Sequence, residues 1–202
     1  MSRVEEQYRR HAPVYDWTRR PFLVDRRRAV QALGLRRGDR VIDFACGTGL
    51  LLPLLREAGA GPITGVDLTP AMLERAARRA DSRMRLVRGD VTGVKLDGPR
   101  ADAAICAYGL SLVADWPQAL RNMHAHLRPG GTLVLLDFGR LRGPLRPLDP
   151  LLGRWLGAFG ARPALPVEAP LRRLFQDCRV EVRHGGWNTI VRAGGAREAG
   201  PE

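Results

Sequence analysis

An acid stands inside an apolar run in "RVIDFACGTG", Arg40–Gly49, and small residues follow it at every second position. Burial of a strand accounts for Val41, Ile42 and Phe44 but not for Asp43. Ala45, Gly47 and Gly49 make a turn where backbone amides can approach a ligand closely, since larger side chains would obstruct it. A dinucleotide fingerprint wants G-x-G-x-x-G at a helix start. Here Leu50 fills the place of its last glycine, and Asp43 would repel a pyrophosphate. The acid suits a ligand that is cationic near the turn, such as a sulfonium carrying an ammonium group. Further on, "GVDLTPAML" sets Asp67 at the end of a second strand, placed to accept hydrogen bonds from ribose hydroxyls. Thr69 and Pro70 start a helix at once, and Met72 returns toward the same crevice to cover a flat ring. A third strand ends in "RGDV" and offers Asp90 to an exocyclic amino group.

These residues need a scaffold that brings several strand ends together. Apolar runs "RVIDFA", "PITGVD", "MRLVRGD", "ADAAICAY", "TLVLLDFG", "CRVEVRHG" and "NTIVRA" read as strands. The early ones alternate with "LLPLLREAG" and "PAMLERAARRA", whose apolar positions fall at helical spacing. Such alternation predicts an α/β fold with a Rossmann-like, mostly parallel sheet of seven strands and helices on both faces. The last two runs, separated only by "GW", predict an antiparallel hairpin at the edge. A single domain over 1–193 is expected, followed by a polar, flexible tail over 194–202. Residues 1–33 read as a helical cap broken near Pro13 and Pro21. The Leu-, Pro-, Gly- and Arg-rich stretch 140–170 reads as a substrate-side insertion, and Trp155, Leu156 and Phe159 form an apolar group at helical spacing.

"VIDFACGTG", "GVDLTPAML", "RGDV", "ALRNMHAHLRPGGTLVLLDFG" and "YRRHAPVYD" together resemble the class I S-adenosylmethionine-dependent methyltransferases over about residues 4–140. Within them the chain is most similar to the small-molecule branch related to ubiquinone, menaquinone and phospholipid (betaine-lipid) N-methyltransferases. The resemblance implies S-adenosyl-L-methionine as cofactor and S-adenosyl-L-homocysteine as product. It places Asp43, Ala45, Gly47 and Gly49 along the methionine part, with the Ala45 carbonyl near the amino group. Asp67 would bind the ribose, Leu68 and Met72 the adenine face, and Asp90 with Val91 the adenine edge. Ala107 would touch the methionine chain, Tyr15 would close over the cofactor, and Arg26 would meet its carboxylate. Ala45 departs from the family's usual glycine. The expected reaction is methyl transfer to N, O or C of a small molecule or lipid, governed mainly by alignment of the nucleophile and exclusion of water.

Tyr108, directly after the fourth strand, is the candidate to face the transferred methyl group; aromatic packing under the cap is its alternative. His11, near Tyr8 and Tyr15, is a candidate general base. Asp137 is a candidate substrate-facing acid at the fifth strand's end, while Asp102 and Asp115 read as structural. His124 and His126 read as solvated, and His184 receives no role. The net charge of +12 does not single out nucleic acid, because 32 of the 33 basic residues are arginines scattered through all element types, with Lys95 the one lysine. The basic surface suits peripheral contact with an anionic membrane equally well. Cys46, Cys106 and Cys178 are odd in number and lack metal-ligand spacing. With no apolar run near the ~20 residues of a membrane span, a reduced, cytoplasmic protein is the default. Two other readings stay open: a non-catalytic cofactor-binding regulatory module, and a nicotinamide oxidoreductase, which the glycine spacing and Asp43 disfavour.

Overall fold

The computed structural model describes residues 24–198. Its strands are β1 (Val41–Phe44), β2 (Ile63–Asp67), β3 (Met84–Arg88), β4 (Ala101–Ala107), β5 (Leu127–Phe138), β6 (Phe175–Arg183) and β7 (Asn188–Ala196). They form one sheet in the order β3-β2-β1-β4-β5-β7-β6. The first five run parallel, and β7 is antiparallel to both β5 and β6. Chain order reverses between β1 and β4, so a crevice opens at their carboxyl ends. The expected seven-stranded α/β sheet with an antiparallel edge hairpin is present. β7 runs three residues past the expected domain end, because Gly194 and Ala196 still pair with Asp177 and Phe175 of β6.

The helices are α1 (Arg26–Leu33), α2 (Leu52–Glu57), α3 (Pro70–Ala77), α4 (Trp116–Ala125), α5 (Asp149–Ala158) and α6 (Glu168–Leu174). The two-residue period of the strands sorts their side chains onto two faces. Val41, Ala103, Ile105, Val134 and Leu136 pack with Val30, Leu52, Leu55, Leu152 and Leu156 from α1, α2 and α5. Ile42, Phe44, Ala104, Cys106, Leu133 and Leu135 pack with Leu120, Met123 and Leu171 from α4 and α6. Each fully buried leucine or isoleucine contributes roughly 1.5–3 kcal/mol. Among the described residues, no helix is long and apolar enough to cross a membrane. All three cysteines are free and buried.

Several side chains turn out to be architectural. Asp102 accepts from the Arg40 N–H at 2.8 Å and from Arg128 Nε at 2.6 Å, and Asp115 caps α4 by accepting from the Gln118 N–H at 3.1 Å. The two α4-side histidines are packed rather than solvated. His124 is 6 % exposed and stands edge-on to Phe175, and burial lowers its pKa so that the ring stays neutral. His126 Nδ1 donates to the Asn122 carbonyl at 2.7 Å, while its Nε2 accepts from the Leu96 N–H at 3.2 Å. Both rings fill space between α4 and the sheet, which the helical pattern alone does not reveal.

Candidate functional site

A cavity of about 450 Å³ lies at the carboxyl ends of β1, β2 and β4. β1 delivers Asp43 to its wall, and the turn to α2 forms its floor. In that turn Ala45, Gly47 and Gly49 have φ of 55°, 56° and 78°. The alternation of small residues is therefore a backbone requirement: every second residue is left-handed, a conformation that disfavours side chains. Gly47 faces open space, where a Cβ would meet nothing within 4 Å. Gly49 is different: Thr48 and Leu50 beside it line the cavity and it does not. A Cβ there would lie 3.0 Å from the Ala76 Cα, so its role is to let α3 pack against the turn.

The wall gathers the acids Asp43, Asp67 and Asp90, with Arg26 as a cation on the same wall. Asp43 is 0 % exposed, and neither of its carboxylate oxygens has a hydrogen-bond partner among the described residues. Burial pushes its carboxyl well above the ordinary carboxylate range, the nearby Asp67 pushes it further, and Arg26 opposes both. Asp67 is held by the backbone: Oδ2 accepts from the Gly47 N–H at 2.8 Å and Oδ1 from the Thr69 N–H at 2.9 Å. Burial raises its pKa too, against the pull of those two amides. Asp90 lines the same cavity and accepts from the Thr92 N–H at 2.8 Å and its hydroxyl at 2.7 Å. Two acids from neighbouring strand ends thus converge on one cleft with Asp43 between apolar walls.

A methyltransferase domain model matches residues 41–131. The chain is 34 % identical over 155 residues to 2-phytyl-1,4-naphthoquinone methyltransferase of Nostoc punctiforme, covering 71 % of this chain and 67 % of that one. It is 36 % identical over 136 residues to demethylmenaquinone methyltransferase of Thermus thermophilus, covering 63 % of this chain and 62 % of that one. The matched stretch thus spans about two thirds, or slightly less, of these relatives' length. Among solved structures, phosphoethanolamine N-methyltransferase 2 of Haemonchus contortus, in complex with phosphomonomethylethanolamine and S-adenosylhomocysteine, superposes with a TM-score of 0.78. At 14 % identity it covers 98 % of this chain and 61 % of that one, and it speaks for the fold. The chain belongs to the class I S-adenosylmethionine-dependent methyltransferases.

The remaining wall of this methyltransferase holds most residues that the sequence singles out. Arg26, Ala45, Leu68, Met72, Val91, Ala107 and Tyr108 all line the cavity. Tyr15 and His11 lie outside the described residues. Tyr108 sits at φ 57°, is 6 % exposed, and donates its hydroxyl to the Val24 carbonyl. Its ring packs on Phe138 with centroids 5.0 Å apart, and the Arg26 guanidinium lies 5.7 Å from its centroid. Burial pushes the phenol pKa up, which keeps the proton in place.

Two expectations shift. Asp137 does not line the cavity; it accepts from the Ser111 N–H and the Phe138 N–H, both at 2.9 Å, and burial pushes its carboxyl up to about 6. Its work is to pin the turn after β4. No residue of 140–170 lines the cavity. That part of the wall comes from Leu112, Val113 and Ala114, at and just past the end of a 3-10 turn over Leu110–Leu112. An apolar pair so soon after a strand end was the available signal, masked by its equal fit to a buried helix start. Thr92 lines the cavity as well, and "DVT" has the Asx-turn spacing that locks Asp90.

Proposed function

We propose that this chain transfers the methyl group of S-adenosylmethionine to a ring carbon of an isoprenoid naphthoquinone in its reduced form. The single observation that carries the cofactor reading is Asp43, a fully buried carboxylate on the cavity wall whose two oxygens have no hydrogen-bond partner among the described residues. Ionising a buried carboxyl that lacks hydrogen bonds is costly, so the site favours a cationic occupant that offsets that cost. The cofactor supplies a methyl group made electrophilic by a sulfonium, and its ammonium and ribose hydroxyls suit acceptors. Asp43 and the Ala45 carbonyl would meet the positive end. Asp67, already oriented by two amides, would accept from the ribose; Leu68 and Met72 would cover the adenine face, and Asp90 with Val91 would meet its edge. Arg26 would face the carboxylate.

The relatives named for naphthoquinones support the acceptor class, and Leu112 and Val113 give the wall an apolar side suited to a flat hydrocarbon ring. Tyr108 acts through shape in this reading. Its hydroxyl is committed to Val24, so it closes the wall and excludes water instead of exchanging a proton. No acid or base among the described residues is required when the reduced ring is already electron-rich, because the ring proton can leave to solvent after transfer.

Calorimetry with S-adenosylhomocysteine tests the cofactor site. Asp67→Ala should weaken binding by about thirtyfold or more, some 2 kcal/mol; unchanged affinity would overturn the assignment. Labelled cofactor and a reduced isoprenoid naphthoquinone test the acceptor. Affinity without label transfer would leave a binding module in its place.

A further inference from the structure

The stretch after β5 repeats a dipeptide at a fixed interval: Pro–Leu occurs at 144–145, 147–148 and 150–151. The first two repeats fall in a 3-10 helix over Gly143–Leu148, which buries none of its residues, and the third opens α5. In a 3-10 helix residues three apart eclipse one another, so Leu145 and Leu148 share a face. They are 42 % and 52 % exposed, and Leu151 is 67 % exposed. Only two other large apolar residues are exposed among the described residues, Val24 and Val180, each at 37 %. Three of five in seven positions is a patch, and soluble surfaces seldom leave one without a partner.

The surrounding charge says what partner fits. Arg140, Arg142, Arg146 and Arg154 are all exposed. The one acid among them, Asp149, is turned inward: it accepts from the Leu141 N–H at 2.8 Å and pairs with Arg140 at 3.7 Å. Leucines ringed by arginines, with no exposed carboxylate, complement an anionic bilayer surface, where the apolar tips enter the headgroup boundary and the guanidiniums meet phosphates. The prolines hold the backbone in its presenting shape, so little ordering is lost on contact.

The patch also sits at the correct end of the molecule. It follows the carboxyl end of β5, beside the cavity end of β4. Arg162, at the far end of the insertion, donates to the Val113 and Ala114 carbonyls of the cavity wall. Tyr108 of the wall connects through Phe138 and Trp187 to Trp155 of α5 in successive ring contacts of 5.0, 6.0 and 6.4 Å.

We propose that Leu145, Leu148 and Leu151, flanked by Arg142, Arg146 and Arg154, dock the protein on an anionic membrane with its cavity end toward the lipid. The acceptor assignment is not needed for this, since docking is measured without any acceptor. Co-sedimentation with vesicles of phosphatidylglycerol and phosphatidylcholine, against phosphatidylcholine alone, reads it directly. The full chain should partition to the anionic vesicles. The triple variant Leu145→Ser, Leu148→Ser, Leu151→Ser keeps every charge and should bind about tenfold less or weaker. Arg142→Gln with Arg146→Gln should also lose about tenfold. Retained S-adenosylhomocysteine affinity and thermal unfolding would verify that both variants fold. Equal partition of the triple variant would overturn the proposal and leave only unspecific attraction by the net charge. A wild-type dimer in sedimentation velocity that the triple variant dissolves would overturn it in favour of self-association.

Discussion

The two ends of the sheet treat buried acids in opposite ways. At the amino end of β4, Asp102 is bound on both sides by Arg128 and the Arg40 amide, and its pKa is lowered, burial being outweighed by those partners. At the carboxyl end of β1, the neighbouring strand, Asp43 is more deeply buried and has no hydrogen-bond partner among the described residues; its pKa is raised. A protein that only needed to fold would have matched the second acid as it matched the first. The mismatch shows where stability is held back for a ligand.

The largest expected effect follows from Asp43. Burial raises its pKa, so binding of a cationic ligand is coupled to loss of the Asp43 proton wherever the group is protonated. Affinity for S-adenosylmethionine should therefore rise with pH, by up to about tenfold per unit while the group remains protonated. Calorimetry in buffers of different ionisation enthalpy should show proton release on binding. Asp43→Asn should lose that release and bind about ten- to a hundredfold more weakly, roughly 1.4–2.7 kcal/mol, with no loss of apo stability. A drop in apo stability with affinity intact would reverse the roles given to the two sheet ends.

The glycines of the β1–α2 turn separate packing from binding within a few ångströms. Gly49→Ala must displace backbone at Ala76 and is expected to cost about 2 kcal/mol of stability. Gly47→Ala meets nothing in the fold. It should cost only about 1 kcal/mol for its left-handed backbone, yet weaken the cofactor because its methyl enters the cavity. Denaturant unfolding and calorimetry on the same two proteins make the test, and equal profiles would remove the distinction.

How much of this was readable beforehand follows the same division. Strand alternation and the order of the acids Asp43, Asp67 and Asp90 are local features, and they brought the fold and the cleft with them. Gly49 could not be told from Gly47, because what a missing side chain makes room for depends on α3, a separate element. His124 is hidden for a related reason: a polar residue on an amphipathic helix shows its burial only once the neighbouring layer is in place. No residue of the insertion 140–170 lines the cavity, although Arg162 donates to two carbonyls of its wall, since a chain stretch rich in Leu and Pro carries no record of which surface it lies on.

A smaller effect tests the amino end of the sheet. Asp102→Asn should cost about 1 kcal/mol of stability at pH 7, discounted for its partial exposure. Because the folded pKa lies below 3.8, that contribution is present above pH 3.8 and disappears as the pH falls further. Asp137 has the opposite sign. With a folded value near 6, it contributes in full below pH 3.8, and the contribution is lost as the pH rises through 6. Unfolding curves across this range should separate the two, and a parallel response would mean that burial does not outweigh the amide hydrogen bonds at Asp137.

The finest discrimination lies at Ala45, whose φ of 55° would suit glycine. Ala45→Gly relieves left-handed strain of roughly 1 kcal/mol but adds a comparable freedom to the unfolded chain, so stability should move by no more than about 0.5 kcal/mol. The alanine nevertheless leaves a mark on its neighbour. A Cβ on Gly109 would stand 2.4 Å from the Ala45 Cβ and 3.2 Å from the Cys106 sulfur, while Gly109 itself has an ordinary φ of −108°. Gly109→Ala alone should therefore be destabilising, and Ala45→Gly in the same chain should recover about 1 kcal/mol. That coupling, measured by a double-mutant cycle in denaturant, would show that one methyl group has been exchanged between two facing turns at the cavity wall. Independent effects would mean that the turn relaxes around the methyl, and that its left-handed backbone is less rigidly held than the Gly47–Asp67 hydrogen bond implies.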